Sequence, residues 1–228
     1  MVRTMVHART RLAVLASGSG TNLQAILDAC QDPAFPAEVA VVLSNVSGAR
    51  ALERASLAGV PARLVPHRGQ PDREAHEQAV LRVLAPHQPL DFLVLAGYMR
   101  VLSPLLIRAF RRPDGLPGVV NIHPADTHAY QGAHGYEFAL GLLPGHPARL
   151  PGTHITVHFV DEGVDTGPII AQRPVEVRPE DGLDELRARG LAVEHDLYPE
   201  VIRWLAEGRV RLEGGEVRVD GARREERA

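Results

Sequence analysis

One cysteine, no long apolar run and no excess of either charge set the first limits on this chain of 228 residues. Cys30 has no second cysteine to pair with, so an internal disulfide is excluded. No apolar run approaches the roughly 18 residues of a membrane span. Hydrophobic residues make up 45% of the chain, which is enough for the full core of one large domain. We therefore expect a soluble, cytoplasmic protein with a single domain.

The charges are balanced and mixed along the chain. The formal net charge is -3 at pH 7, from 25 Lys and Arg residues and 28 Asp and Glu residues. No basic segment indicates a nucleic-acid partner, and no acidic block indicates a solvating tail. A small-molecule partner fits this composition better. Residues 1–10 contain Arg3 and Arg9 but no apolar core of a secretory signal, so we expect a disordered extension there.

Short apolar runs alternate with amphipathic segments along the first half of the chain. The runs predict buried strands at residues 12–16, 39–43, 62–65, 92–95 and 119–122. The segments between them predict helices at residues 23–29, 49–58, 73–83 and 104–110. Alternation of this kind is typical of an α/β fold with an open, mostly parallel, doubly wound sheet.

The pattern changes after a stretch rich in Pro and Gly at residues 143–152. Residues 155–159 and 169–175 predict two more strands of the same sheet, and residues 184–207 predict a long helix. Residues 210–219 predict a hairpin around Gly214 and Gly215, followed by a frayed tail from Arg223. No flexible linker divides the chain. We expect one domain over residues 11–208, with residues 209–228 as a C-terminal hairpin and tail.

A glycine-containing turn, residues 17–23, follows the first predicted strand and leads into a helix. Glycine permits a tight turn, and the free amides of a helix N-terminus attract an anion such as phosphate. A dinucleotide site is a weak interpretation, because Leu23 stands where the third glycine of that motif would be. An ordinary strand-to-helix turn remains the alternative.

Asn121 and His123 are two residues apart on a predicted strand, so their side chains point to the same side of the sheet. An amide and an imidazole so placed can form a site that stabilises an oxyanion. If the later loop brings Asp165 to the imidazole, the carboxylate favours the charged ring and fixes its tautomer. This arrangement indicates acyl transfer.

Six stretches of the sequence together resemble the phosphoribosylglycinamide formyltransferase family of folate-dependent enzymes. They are residues 17–24, 72–75, 95–104, 121–124, 157–170 and 194–199, and the likeness extends from about residue 11 to residue 208. The resemblance implies a Rossmann-like sheet. It also implies transfer of the formyl group of 10-formyltetrahydrofolate to the amine of glycinamide ribonucleotide in purine synthesis, without a metal or a covalent enzyme intermediate.

The resemblance also assigns the catalytic roles. It implies that His123 is the general acid, that Asn121 donates a hydrogen bond to the formyl oxygen, and that Asp165 raises the pKa of His123. Each residue also has a simpler interpretation. His123 can be a hydrogen-bonded structural histidine, Asn121 can cap a turn, and Asp165 can hold the Asp-Thr-Gly bend.

Binding residues follow from the same resemblance. The amides of Gly20, Thr21 and Asn22 are expected to hold the substrate phosphate, and Glu194 to bind the ribose or glycinamide end. Glu194 and Arg73 can equally be solvated helix residues. The residues expected to contact the folate are Arg73, Met99, Arg100, Val101, Leu102, Asn121, Asp161, Glu162, Gly163, Val164 and Asp165.

The sequence departs from the family pattern at several positions. Residues 125–131 replace an apolar, proline-stiffened segment with a polar one. His134 matches the family, but Tyr136 stands where a second histidine is often found. Val193 replaces a common glutamine, and Leu191 stands where a polar substrate contact is often found. These changes bear on the acceptor amine more than on the chemistry.

Other functions stay open at this stage. A sibling enzyme would formylate another amine, or hydrolyse 10-formyltetrahydrofolate by delivering water in place of the amine. The hydrolase usually has an extra N-terminal domain, and transfer to aminoacyl-tRNA usually comes with a basic surface and an extra C-terminal domain. A protein of another class would bind nucleotide or folate without turnover. We expect a monomer or a homodimer, with no nucleic-acid or membrane partner.

Overall fold

A computed structural model of the chain describes residues 9–221. Its helices are α1 (Thr21–Gln31), α2 (Arg50–Leu57), α3 (Arg73–Leu84), α4 (Pro104–Ala109), α5 (Gly135–Ala139) and α6 (Leu183–Ala206). Its strands are β1 (Thr10–Ala16), β2 (Ala37–Ser44), β3 (Ala62–Leu64), β4 (Phe92–Leu95), β5 (Val119–His123), β6 (Gly152–Phe159), β7 (Ile169–Glu176), β8 (Val210–Glu213) and β9 (Glu216–Val219).

The structure describes only part of the two chain ends that were expected to be disordered. Residues 1–8 and the tail from Arg223 lie outside the described residues. Arg9 donates hydrogen bonds to the carbonyl oxygens of Phe35 and Cys30, and β1 begins at Thr10. These two residues therefore belong to the folded domain rather than to an extension.

Seven strands form one sheet in the order β3-β2-β1-β4-β5-β6-β7. The first five are parallel, whereas β6 is antiparallel to β5 and β7 is antiparallel to β6. The predicted α/β fold with a mostly parallel, doubly wound sheet is confirmed. Among the helices of residues 9–221, none has the length and apolar content to cross a membrane.

Helices cover both faces of the sheet, which explains the unbroken apolar runs. In β1, Leu12 and Val14 face one hydrophobic cluster, whereas Ala13 and Leu15 face the other. A strand buried on both faces needs apolar side chains at every position instead of alternate ones. The same pattern in β2 and β4 is why these strands are readable from the sequence.

The predicted elements differ from the structure at one strand and one helix. β3 is exposed at Arg63 and Leu64, although it was expected to be buried, because it is a three-residue strand at the edge of the sheet. α5 was not predicted, since five residues are too few to display a helical period. The predicted hairpin is present, with β8 antiparallel to β9 around Gly214 and Gly215.

The long helix α6 crosses the sheet close to the carboxyl ends of its central strands. Its Tyr198 is fully buried and donates to the carbonyl oxygens of Leu95, at 2.9 Å, and Val120, at 3.1 Å. These bonds fix α6 against β4 and β5. Glu194 lies one turn earlier on the same helix.

Candidate active site

A cleft of about 360 Å³ opens at the carboxyl ends of β4 and β5. The chain runs outward from β1 to β2 and β3 on one side and to β4 and β5 on the other, so the strand order reverses beside the cleft. Ligands of open α/β sheets bind at this kind of switch point. The cleft lining includes Asn22, Met99, Arg100, Val101, Leu102, Asn121, His123, Asp161, Gly163, Val164, Asp165 and Glu194.

Asn121 and His123 form the floor of the cleft at the end of β5. Ile122, between them, points into the core, so the amide and the imidazole share the other face, as the alternation predicted. His123 is 6% exposed, and its Nδ1 lies 3.6 Å from Oδ2 of Asp165. Its Nε2 is buried without a hydrogen-bond partner. That nitrogen can therefore exchange a proton with a bound reactant.

Two opposing effects set the pKa of His123. Burial lowers the pKa of His123 below its usual range, and this effect exceeds the opposing influence of the Asp165 carboxylate, which raises it. The neighbouring His158 also lowers the pKa of His123. Asp165 thus acts in the predicted direction, but the net pKa is lowered because burial disfavours the imidazolium more strongly.

Asp165 is held in an unusual backbone conformation on the loop between β6 and β7. Its φ of 52° lies in the left-handed region, which Asp adopts more readily than most residues. The Gly132 amide donates to Oδ2 at 2.8 Å, and Nδ2 of Asn121 lies 3.4 Å from Oδ1. Burial raises the pKa of Asp165, but His158, His123 and the Gly132 amide outweigh it and lower the pKa to about 2. The group is therefore a carboxylate throughout the neutral range.

His158 is a member of this cluster that sequence reasoning missed. It is buried on β6 directly opposite Asn121, and its Nε2 lies 3.3 Å from Nδ2 of Asn121 and 3.5 Å from Oδ1 of Asp165. Its Nδ1 lies 2.8 Å from the Phe159 carbonyl oxygen, a contact that requires a proton on Nδ1. Residues 157–170 were noticed as a motif, but only the antiparallel register places His158 beside Asn121.

At the other end of the cleft, Glu194 is 5% exposed and tightly held. Its Oε2 accepts a hydrogen bond from Nδ2 of Asn22 at 2.5 Å, and its Oε1 accepts one from the phenol of Tyr136 at 2.5 Å. Oδ1 of Asn22 is buried without a partner. The interpretation of Glu194 as a solvated helix residue does not fit this environment. In the sequence, Tyr136 stands out only as a departure from the family pattern.

The glycine turn packs closely against α2. Gly20 is the N-cap of α1 with a φ of 69°, and a Cβ there would lie 2.7 Å from the Cα of Ala51. Arg54 donates to the Ser19 carbonyl oxygen at 2.8 Å. No acidic residue occupies the first turn of α1, and the first amides of a helix have no partner within the helix. Glycine at this position is thus also required for helix packing.

Some of the residues expected to bind ligands line the cleft, and others do not. Met99 is 71% exposed, and Val101 and Val164 are also exposed large apolar residues, so the cleft has an apolar mouth. Four of the expected ligand-binding residues are not part of the cleft lining, namely Gly20, Thr21, Arg73 and Glu162. Glu162 instead forms an exposed ion pair with Arg108 at 2.7 Å.

The atypical loop after Pro124 is held by polar contacts. Oγ1 of Thr156 donates to the Ala125 carbonyl oxygen at 2.6 Å, and Nε2 of Gln172 donates to Oδ1 of Asp126 at 3.2 Å. The Tyr130 ring stacks on Phe138 with 4.4 Å between centroids. These contacts fix the loop that carries the Gly132 amide to Asp165. Within residues 9–221, no group of His, Cys, Asp and Glu side chains could hold a metal ion.

Comparisons with known proteins agree with the fold. The formyl transferase family model matches residues 10–202. A phosphoribosylglycinamide formyltransferase of Haemophilus influenzae is 38% identical over 92% of this chain and 94% of its own. The Drosophila melanogaster trifunctional purine biosynthetic protein adenosine-3 is 40% identical over 90% of this chain but only 14% of its own.

A solved structure gives the same result. The crystal structure of glycinamide ribonucleotide transformylase 1 from Symbiobacterium toebii superimposes with a TM-score of 0.86 at 42% identity, over 96% of this chain and 98% of that chain. The resemblance noted in the sequence is confirmed. This chain belongs to the phosphoribosylglycinamide formyltransferase family.

Proposed function

We propose that this protein transfers the formyl group of 10-formyltetrahydrofolate to the amine of glycinamide ribonucleotide, giving formylglycinamide ribonucleotide and tetrahydrofolate in purine biosynthesis. The observation that carries the proposal is the meeting of Asn121, His123 and Asp165 in the cleft of a member of this family. An amide, an imidazole and a carboxylate so placed suit transfer of a formyl group between two nitrogens.

The reaction makes one carbon–nitrogen bond and breaks another. The acceptor amine adds to the formyl carbon, and negative charge grows on the formyl oxygen. Nδ2 of Asn121 and a proton on Nε2 of His123 stabilise this charge, and one such donor is typically worth about 3 kcal/mol. The bond from the formyl carbon to N10 of the folate then breaks. Overall, the amine loses one proton and N10 gains one.

The proton transfers depend on the pairing of His123 with Asp165. Asp165 is a carboxylate at neutral pH and faces Nδ1 of His123 at 3.6 Å, so it favours the charged ring that forms when His123 takes up a proton. A lowered pKa makes this imidazolium a readier proton donor to the departing N10. We assign His123 as the general acid and Asp165 as the group that orients it.

The two substrates enter from different sides of this centre. The amides of Gly20, Thr21 and Asn22 bind the phosphate of the nucleotide, and Glu194 binds its ribose or glycinamide end. The folate lies against residues 99–102 and 161–165, where the mouth is apolar, and Arg73 contacts it farther out. The apolar mouth at Met99, Val101 and Val164 supports this placement, since a flat heterocycle gains from apolar contact.

The remaining assignments concern the cellular context. 10-Formyltetrahydrofolate is a co-substrate of the reaction, and the reaction needs no metal. We place the protein in the cytoplasm, as a monomer or homodimer that binds small molecules and neither nucleic acid nor a membrane. The exposed edge strand β3 is one surface at which a second copy could pair.

The test is steady-state turnover of 10-formyltetrahydrofolate by purified protein, with and without glycinamide ribonucleotide. Folate absorbance reports the release of tetrahydrofolate, and mass spectrometry identifies the formylated product. The proposal predicts release that depends on the nucleotide. Release without the nucleotide would instead identify a hydrolase, and an absence of release under both conditions would indicate another amine or a binding protein.

A further inference from the structure

Tyr136 has no part in the proposed chemistry, yet its phenol contacts the group that closes the acceptor end of the cleft. The side chain is 6% exposed and lies at the start of α5. Its Oη donates to Oε1 of Glu194 at 2.5 Å, while Nδ2 of Asn22 donates to Oε2 at 2.5 Å. Both carboxylate oxygens are therefore held by protein donors on two different helices.

Helix α6 makes room for this phenol at Gly190. A Cβ on Gly190 would lie 2.2 Å from Oη of Tyr136, which is far inside van der Waals contact. The φ of Gly190 is not positive, so the backbone itself does not demand glycine there. Glycine in a helix interior is unfavourable relative to alanine. Its presence four residues before Glu194 is explained by the phenol that lies against it.

The phenol is a permanent donor. Burial, followed by the negative charge of Glu194, raises the pKa of Tyr136 well above its usual value. The hydroxyl thus keeps its proton at every working pH. An imidazole at this point would donate from a given nitrogen only in some of its protonation and tautomeric states. The tyrosine removes that dependence.

The hydrogen-bond acceptors that these contacts leave free define what the ligand must supply. A carboxylate oxygen that accepts one hydrogen bond retains a second lone pair. Oδ1 of Asn22 is buried and has no partner. Glu194 and Asn22 both line the cleft. An amide oxygen without a partner and a carboxylate with free lone pairs call for a ligand with donors, such as hydroxyl or ammonium groups.

We propose that Tyr136 is a positioning residue for the acceptor substrate, which with Asn22 holds the Glu194 carboxylate so that it accepts hydrogen bonds from the donors of the nucleotide. Gly190 provides the space that the phenol needs. The inference rests on the proposed function, because it concerns the acceptor of the same reaction. It assigns to Tyr136 an effect on nucleotide binding, and none on the formyl transfer step.

The test is the Tyr136→Phe variant, which removes one oxygen and keeps the ring. The loss of a hydrogen bond to a buried charged group predicts a KM for glycinamide ribonucleotide about tenfold higher or more. The kcat and the KM for 10-formyltetrahydrofolate are expected to stay within about twofold of wild type. Calorimetry with glycinamide ribonucleotide alone should give the same loss of affinity.

Two further variants separate positioning from a general structural effect. In a Glu194→Ala background, the phenol has no carboxylate to orient, so adding Tyr136→Phe should change nucleotide affinity by less than about twofold. Tyr198→Phe is the matched control, since it also removes a buried phenol oxygen but one that bonds only to backbone carbonyls. It should lower the Tm without a selective loss of nucleotide affinity.

The outcomes divide clearly. An unchanged nucleotide KM and Kd in Tyr136→Phe overturns the inference, as does an equal loss in the Glu194→Ala background. If wild type fails to formylate glycinamide ribonucleotide, the proposed function fails. In that case, calorimetric binding of the nucleotide by wild type and a tenfold weaker binding by Tyr136→Phe would still support the positioning role, whereas no binding by wild type would overturn it as well.

Discussion

The catalytic end and the acceptor end of the cleft differ in the distances between their contacting side chains. At the catalytic end, Asp165 lies 3.4 to 3.6 Å from its three side-chain neighbours, and Nε2 of His123 has no partner. At the acceptor end, both oxygens of Glu194 accept hydrogen bonds at 2.5 Å. Contacts longer than a hydrogen bond can tighten when charge develops, whereas short ones are already formed before a ligand binds.

The difference in contact distances suits the function of each end, which is catalysis at one and substrate binding at the other. A donor that is satisfied in the free protein has little left to offer a transition state, so unformed contacts near His123 leave stabilisation for the reaction itself. A carboxylate that is already oriented loses little freedom on binding, which favours affinity for the ground state. Substitutions at the two ends should therefore separate kcat from KM.

His123→Ala should give the largest effect. Loss of the general acid predicts a kcat lower by about 1,000-fold, because His123 is the group assigned to donate the proton to the departing nitrogen. The fold should survive, since the substitution removes a buried Nε2 that has no partner. Steady-state kinetics and urea unfolding measure the two quantities. A kcat near that of wild type would refute the assigned role.

Asp165→Asn should lower kcat by about 100-fold through its effect on His123. The carboxylate favours the imidazolium, so its removal should move the already lowered pKa of His123 further down. An NMR titration of the His123 ring in both proteins measures this shift. Asparagine preserves the shape of the side chain and serves as its own steric control. A His123 pKa that stays in place, or rises, would contradict the account.

Tyr198→Phe tests how helix α6 is anchored to the sheet. Its phenol joins α6 to the carbonyl oxygens of Leu95 and Val120, and the loss of these buried bonds should lower the free energy of unfolding by about 1–2 kcal/mol. Urea unfolding provides the measurement. An unchanged midpoint would mean that the helix is anchored by apolar packing alone.

Acid should produce the smallest effect, and its sign follows from Asp165. Folding lowers the pKa of this group to about 2. The unfolded chain therefore binds more protons than the folded chain between about pH 4 and pH 2. The free energy of unfolding decreases as the pH is lowered through that window. Since the carboxylate is partly exposed, the loss should be only about 1 kcal/mol. The difference in unfolding free energy between wild type and Asp165→Asn, measured at pH 6 and pH 2, should shrink by this amount. A difference that is independent of pH would argue against the interaction.

The parallel half of the sheet was readable from the sequence, because strands buried on both faces are unbroken apolar runs. The antiparallel half of the sheet was less readable from the sequence. The runs at β6 and β7 predicted strands, but neither their direction nor the register that sets His158 opposite Asn121 is encoded in local pattern. The exposure of β3 depends on its place at the sheet edge, which hydrophobicity alone does not reveal.

The site divides in the same way. Alternation on one strand predicted that Asn121 and His123 share a face. The net pKa of His123 required the depth of its burial, which is a property of the whole fold. The fit of Tyr136 against Gly190, 54 residues along the chain, became visible only when α5 and α6 were in contact. A departure from a family pattern was the only sign of it in the sequence.

The most direct test of this division of labour is the affinity of glycinamide ribonucleotide, measured by calorimetry for His123→Ala and Glu194→Ala side by side with wild type. The account predicts that His123→Ala binds the nucleotide within about twofold of wild type, and that Glu194→Ala binds it at least about tenfold more weakly. Equal losses of affinity in the two variants would contradict the separation of chemistry from acceptor binding.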